Sequence, residues 1–237
     1  MLKHIKLDQV FVIDIETVPQ QADFKQLSPE FQELWEQKSR YQRNLEQSAE
    51  EFYEKAGIWA EFGKIVCISI GFFHLENKQI HLRLRSFIDH DEKKLLKDFI
   101  KLLNQQPSNC ILCAHNGKEF DFPYLCRRMI INQLNIPVQL QLSGKKPWEI
   151  QHIDTLELWK FGDYKHYTSL QLLAAILNLP SPKSDIDGSQ VGTIYHQTGN
   201  LKRISQYCQN DVICTAQILL RFKGLNPITE HNISIVN

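Results

Sequence analysis

The 237-residue sequence has no excess of either charge: 27 Lys and Arg stand against 27 Asp and Glu. That balance excludes a strongly basic nucleic-acid coat but leaves room for an enzyme that meets a few phosphates through a local cluster of acids and bound metal. Long hydrophobic runs are also missing. The longest nearly apolar stretch, Ile65 to Phe73, is broken by Ser69 and Gly71 and falls far short of the roughly 18 residues that a membrane span needs. Before its first acid-rich motif the N-terminal region offers only Val10 to Ile13 as an apolar run, too short for a signal peptide. The expectation is a cytoplasmic protein that meets no membrane. With no export signal, the six cysteines read as reduced thiols. Cys110 and Cys113 form a lone CxxC on a predicted strand, where residues three apart point to opposite faces, and no second CxxC or CxxH follows to complete a zinc site.

Hydrophobic residues at 43% and charged residues at 23% permit a sizeable core of the soluble globular kind. Val10 to Ile13 predicts a strand buried on both faces, ending in Asp14-Ile15-Glu16-Thr17. A Gln/Glu-rich segment follows to about Lys55, with Phe31, Leu34, Trp35, Tyr41, Leu45, Phe52 and Tyr53 at helical spacings and Ser28-Pro29-Glu30 as a helix start. Strands over 65–73 and 79–87 form a hairpin, 90–103 an amphipathic helix, and 110–114 another strand. A helix over 118–131 tolerates Pro123 only in its first turn, which puts Asp121 at a helix start. A short strand near 150–153 leads to Asp154, helices are expected over 167–177 and 201–222, and 181–192 reads as loop. The order implies an α/β fold: a mixed sheet flanked by helices, with a helical insertion after the first strand.

Four acids carry the chemistry. Asp14 and Glu16, two apart on a strand, leave the same face about 7 Å apart along the backbone. Burying both requires a compensating cation, and a divalent metal suits an oxygen-rich site; the alternative is a solvated strand end. Tyr207 and Asp211 share one helix face at i,i+4, unless Asp211 reaches to solvent. Asn116 and Asp121 fit either a site or simple capping.

In combination and order, Asp14-Ile15-Glu16, then Asn116-Gly117-Lys118-Glu119-Phe120-Asp121, then Tyr207-Cys208-Gln209-Asn210-Asp211 resembles the three exonuclease motifs of the DEDD nuclease superfamily. Within it, the chain is similar to the exonuclease domains of family B DNA polymerases and to stand-alone predicted 3′-to-5′ exonucleases related to them. Trp59 to Ile65 and His152 to Leu156 extend the likeness. The sister subclass would place a histidine at Gln206, so the tyrosine subclass is the match.

The resemblance implies a ribonuclease H-like fold: one exonuclease domain over 1–237, with its insertion at about 20–58. It implies hydrolysis of nucleotides from the 3′ end of single-stranded DNA, releasing nucleoside 5′-monophosphates, with two Mg²⁺ or Mn²⁺ ions as cofactors. Asp14 would bridge both ions, Glu16 and Asp211 would hold the ion that activates water, and Asp121 would bind the second through water. Tyr207 would orient the water as a neutral phenol. Thr17, Asn116 and Phe120 would meet the terminal nucleotide, and Lys118, Lys165 and Lys183 are candidates either for phosphate contact or for charge balance. The same site on RNA, and a silent nucleic-acid-binding module, are the alternative readings; against the second, all four acids and the tyrosine are present.

Overall fold

The computed structural model describes residues 2–163, 165, 167–180 and 185–236. Strands β1 (Val10–Pro19), β2 (Gly63–Glu76), β3 (Gln79–Ile88), β4 (Ile111–Ala114), β5 (Ile153–Asp154) and β6 (Ile233–Ile235) make one sheet in the order β5-β4-β1-β2-β3-β6. It is mixed, as expected: β1, β2 and β3 pair antiparallel, while β4 joins β1, β5 joins β4 and β6 joins β3 in parallel. Helices α1 (Pro29–Ser39), α2 (Ala49–Phe52), α3 (Glu92–Asn104), α4 (Asp121–Ile131), α5 (Thr155–Lys160), α6 (Leu170–Ile176), α7 (Val191–Thr198) and α8 (Leu201–Phe222) surround it. Among the described residues, no helix is long and apolar enough to cross a membrane.

The continuous apolar run in β1 follows from cover on both faces. Phe11, Ile13 and Ile15 pack with Leu95, Leu96 and Phe99 of α3 and Phe122, Leu125 and Met129 of α4. Val10 and Val12 pack with Val212, Ala216, Leu219 and Leu220 of α8. Cys110 joins the first cluster and Cys113 the second, so the CxxC thiols do lie on opposite sides. The strand does not end at the acids. Because β2 supplies partners as far as Pro19, Asp14 and Glu16 lie in mid-strand.

The β1–β2 register slips after Glu16, which pairs with Cys67 while Thr17 pairs with Ile65, leaving Val66 as an extra residue in β2. Val66 and Cys67 accordingly share one cluster with Val18 and with Cys208 of α8. The β2–β3 hairpin closes on Asn77 (φ 50°) and Lys78 (φ 65°), and two left-handed residues match the twist of the flanking strands.

Between β1 and β2, α1 starts on a Ser28 cap with Pro29 in its first turn, and α2 on a Ser48–Glu51 capping box. They pack around Trp35, whose indole N–H donates to the Ala49 carbonyl at 2.8 Å, with Tyr53, Ala56 and Phe62. Tyr41 and Leu45 do not follow the helical spacing; they fall between the helices and are exposed.

Other departures have local causes. Ser169 caps α6 at Leu172, so Tyr167 and Thr168 lie outside that helix. The strand expected near 150–153 is only Ile153–Asp154. Residues 181–184 of the expected loop lie outside the described residues, and a capping box between Asp187 and Gln190 leads into α7, so Gly192 is helical. The helices α5 and α7 and the short β6 were not expected.

Candidate active site

Asp14 and Glu16 project from the face of β1 that α8 covers, the face that also carries Val10 and Val12. The helix is docked at this point by Cys208, whose thiol donates to the Asp14 carbonyl at 3.3 Å. One turn of α8 then presents Tyr207 and Asp211, whose side chains are hydrogen-bonded to each other. Asp211 therefore does not turn away to solvent.

Asp121 arrives from the neighbouring crossover. Its own backbone N–H and that of Ile15 on β1 favour its ionised form, which sets the start of α4 beside the strand bearing the other two acids. Gly117 permits the approach: a Cβ there would lie 2.3 Å from that of Ala114. The loop is held by Asp154, which accepts from the backbone N–H groups of Asn116 and Lys118.

The four acids perturb one another. Burial, then the charges of Asp211 and Asp121, push Asp14 well above the usual carboxylate range. Burial and then Asp14 do the same to Glu16. Burial lifts Asp121 to about 7 against its backbone donors, and lifts Asp211 to about 6 against the hydrogen bond from Tyr207. Burial, followed by Asp211, Glu16 and Asp14, raises the Tyr207 phenol above its ordinary value, so it stays neutral at working pH. One Asp14 oxygen, Oδ2, is buried without a hydrogen-bond partner among the described residues. An orphaned carboxylate oxygen among three further acids fits a hard divalent cation, which takes oxygen ligands. Donor atoms of Asp14, Glu16 and Cys208 lie within 4.8 Å of one another.

A cavity of about 820 Å³ runs from Glu16 along the end of β1. One wall is the turn at the end of the insertion, with Lys55, Gly57 and Ile58; the other is the start of α7, with Gly192, Thr193 and His196. Thr17 and Phe120 line it as well. The Thr17 side chain is hydrogen-bonded to the Tyr124 hydroxyl, and the Phe120 ring packs on Tyr124 at 5.4 Å. Asn116 is instead a left-handed turn residue, φ 64°, whose carbonyl accepts from the N–H groups of Glu119 and Phe120. Lys118 is paired with Glu157 at 2.6 Å, Lys165 is exposed, and Lys183 lies outside the described residues.

Three features escaped sequence reasoning. Asp154 has no role among the expected site residues, although its place after a short strand is a signal for helix capping. The α7 wall begins where the expected loop over 181–192 ends, and no element is expected over 193–200. Tyr167, expected within a helix, stands before α6 with an exposed ring, and desolvation followed by the charges of Asp121, Asp154 and Asp211 raises its phenol.

The fold is that of a family B polymerase exonuclease domain. The family B DNA polymerase of Pyrobaculum calidifontis superposes with a TM-score of 0.52 at 13% identity, over 90% of this chain and 24% of that one. Residues 58–232 match the family described as predicted 3′-5′ exonuclease related to the exonuclease domain of PolB, and the chain belongs to that family. The matched span begins after β1 and so does not include Asp14 and Glu16. DNA polymerases of Pyrococcus glycovorans and Pyrococcus horikoshii are similar at 21% identity over 140 residues and 23% over 177, covering 54% and 67% of this chain. The matches span only 18% and 14% of those polymerases.

Proposed function

We propose that this protein is a metal-dependent 3′-to-5′ exonuclease that removes nucleotides from the 3′ end of single-stranded DNA in the cytoplasm and releases nucleoside 5′-monophosphates. The observation that carries this reading is the convergence of Asp14, Glu16, Asp121 and Asp211 around an unpartnered carboxylate oxygen, at the head of an open groove. Family membership supports the reaction class, and the DNA polymerases among the relatives favour DNA over RNA.

In this reading the four carboxylates hold two divalent ions, Mg²⁺ or Mn²⁺. When bound, these supply Lewis-acid charge at the scissile phosphate and a low-pKa water. Tyr207, kept neutral and tethered to Asp211, positions the attacking water by a hydrogen bond and takes no proton. Thr17 and Phe120 line the groove where the last nucleotide lies, and Asn116 acts at one remove by shaping the loop that delivers Phe120 and Asp121. The insertion forms a groove wall, which supports one catalytic unit over 1–237.

A 5′-labelled single strand incubated with Mn²⁺ should shorten stepwise from its 3′ end, and the ladder should vanish with EDTA and in Asp14→Ala. Faster shortening of a matched RNA would replace DNA as the substrate. No metal-dependent shortening of either strand would sink the enzyme reading in favour of a binding module.

A further inference from the structure

The β2–β3 hairpin ends in a cluster that the nuclease reading does not use. His74 on β2 is paired directly with His81 on β3, so both rings stand on one face of the sheet, with centroids 5.1 Å apart. Glu76, two residues beyond His74, shares that face. One ring nitrogen from each histidine and one Glu76 carboxylate oxygen lie within 4.8 Å of one another.

We propose that His74, Glu76 and His81 form a second metal site that takes one divalent ion of the imidazole-preferring class, with Zn²⁺ as its representative. The His74 ring leaves one nitrogen without a partner and turns the other toward Glu76, and one of the two would hold the ion. The Nδ1 atom of His74 is buried and has no hydrogen-bond partner among the described residues. Its Nε2 stands 3.7 Å from a Glu76 oxygen, longer than a hydrogen bond but close to the separation of two ligands sharing an ion. Bonds of about 2.0–2.2 Å to zinc in tetrahedral geometry set neighbouring donors roughly 3.3–3.6 Å apart, so no gap has to close by more than about 1.5 Å. The Glu76 side chain, 58% exposed, is free to move that far.

The rest of the hairpin favours binding. Its two-residue turn fixes the His74–His81 register, so little ordering is required on binding. Glu76 supplies negative charge to offset the ion. Two imidazoles select zinc-like ions over magnesium, the reverse of the preference at the four acids. The two places are also far apart. Asp14 pairs with Ser69, and His74 is five strand residues farther along β2, roughly 16 Å, on the opposite face. Because β6 pairs with β3 from Leu82 onward, an ion here clamps the hairpin beside the strand nearest the C-terminus.

The test is calorimetric titration of Zn²⁺ into the full, untagged chain in saturating Mg²⁺, repeated with His81→Gln, Glu76→Gln and Asp14→Ala. One zinc equivalent should bind wild type and survive in Asp14→Ala. In His81→Gln and Glu76→Gln it should weaken by about tenfold or more. Zinc-free melting curves of the two hairpin variants should match wild type, since neither residue is buried. Equal zinc binding by wild type and His81→Gln overturns the site, as does loss of all zinc binding in Asp14→Ala or no binding by wild type.

Discussion

The carboxylate of Asp154 accepts hydrogen bonds from the backbone N–H groups of Asn116 at 2.9 Å and Lys118 at 3.0 Å, while also capping its own helix through Leu156 and Glu157 at 2.9 and 3.2 Å. One buried carboxylate thereby sets the path of the loop that feeds Asp121 into the site. Removing it strands four donors. Asp154→Ala should lose about 3 kcal/mol in urea unfolding and should lower activity, although Asp154 is not assigned to any metal. Asp154→Asn, which keeps one acceptor oxygen, should lose less. Wild-type stability in Asp154→Ala would refute this role.

Folding raises all four site acids above ordinary carboxylate values. Such groups hold protons more tightly in the folded chain, so their opposition to folding is absent below about pH 4 and grows as pH rises through Asp211 at about 6 and Asp121 at about 7. In EDTA this contribution should lower the melting temperature from about pH 5 to about pH 8. Mn²⁺, which binds the ionised set, should raise it more at the higher pH. Asp121→Asn should melt above wild type in EDTA at the alkaline end. A manganese shift independent of pH would contradict the assignment.

Tyr207 lacks the acidity to serve as a base, since burial and then the surrounding acids hold its proton in place. Tyr207→Phe should therefore keep metal binding in a Mn²⁺ titration while losing about 10²-fold in kcat, the scale of a misplaced reactant. Asp14→Ala should lose metal and activity together. Full activity in Tyr207→Phe would remove the positioning role.

Trp35 is fully buried and packs edge-on against Tyr53, Trp59 and Phe62. The groove wall with Lys55 and Gly57 continues from this cluster. Trp35→Ala should cost about 4 kcal/mol and raise KM more than it lowers kcat, measured on a short oligonucleotide. An unchanged KM in a destabilised variant would separate the insertion from substrate binding.

Much of this was legible in sequence because it was written in local periodicity. The run Val10 to Ile13 announced a strand covered on both faces, and the apolar spacing of 201–222 marked α8 to its ends. Pro123 set the start of α4, and with it the place of Asp121. The illegible parts depend on distant partners. No local signal carries β1 past its acids, because the residues that pair with Thr17 to Pro19 belong to β2. Short elements such as α5 and α7 are set by caps and docking, with too few turns for a periodicity. Asp154 looks like any acid before a helix until the loop it holds, 38 residues away, is in view.

Cys67, paired with Glu16 beside the bulge, faces α8, where burial and then the Cys67 thiol, hydrogen-bonded to that of Cys208, raise the pKa of Cys208. A cluster suited to oxygen-loving ions thus rests on sulfur. Soft ions such as cadmium and mercury can gain a sulfur ligand that magnesium does not seek, which makes this floor the place where the protein is open to poisoning. Cys208→Ser should confer resistance to cadmium at saturating magnesium, and the thiol that docks α8 on β1 becomes the origin of a chemical vulnerability.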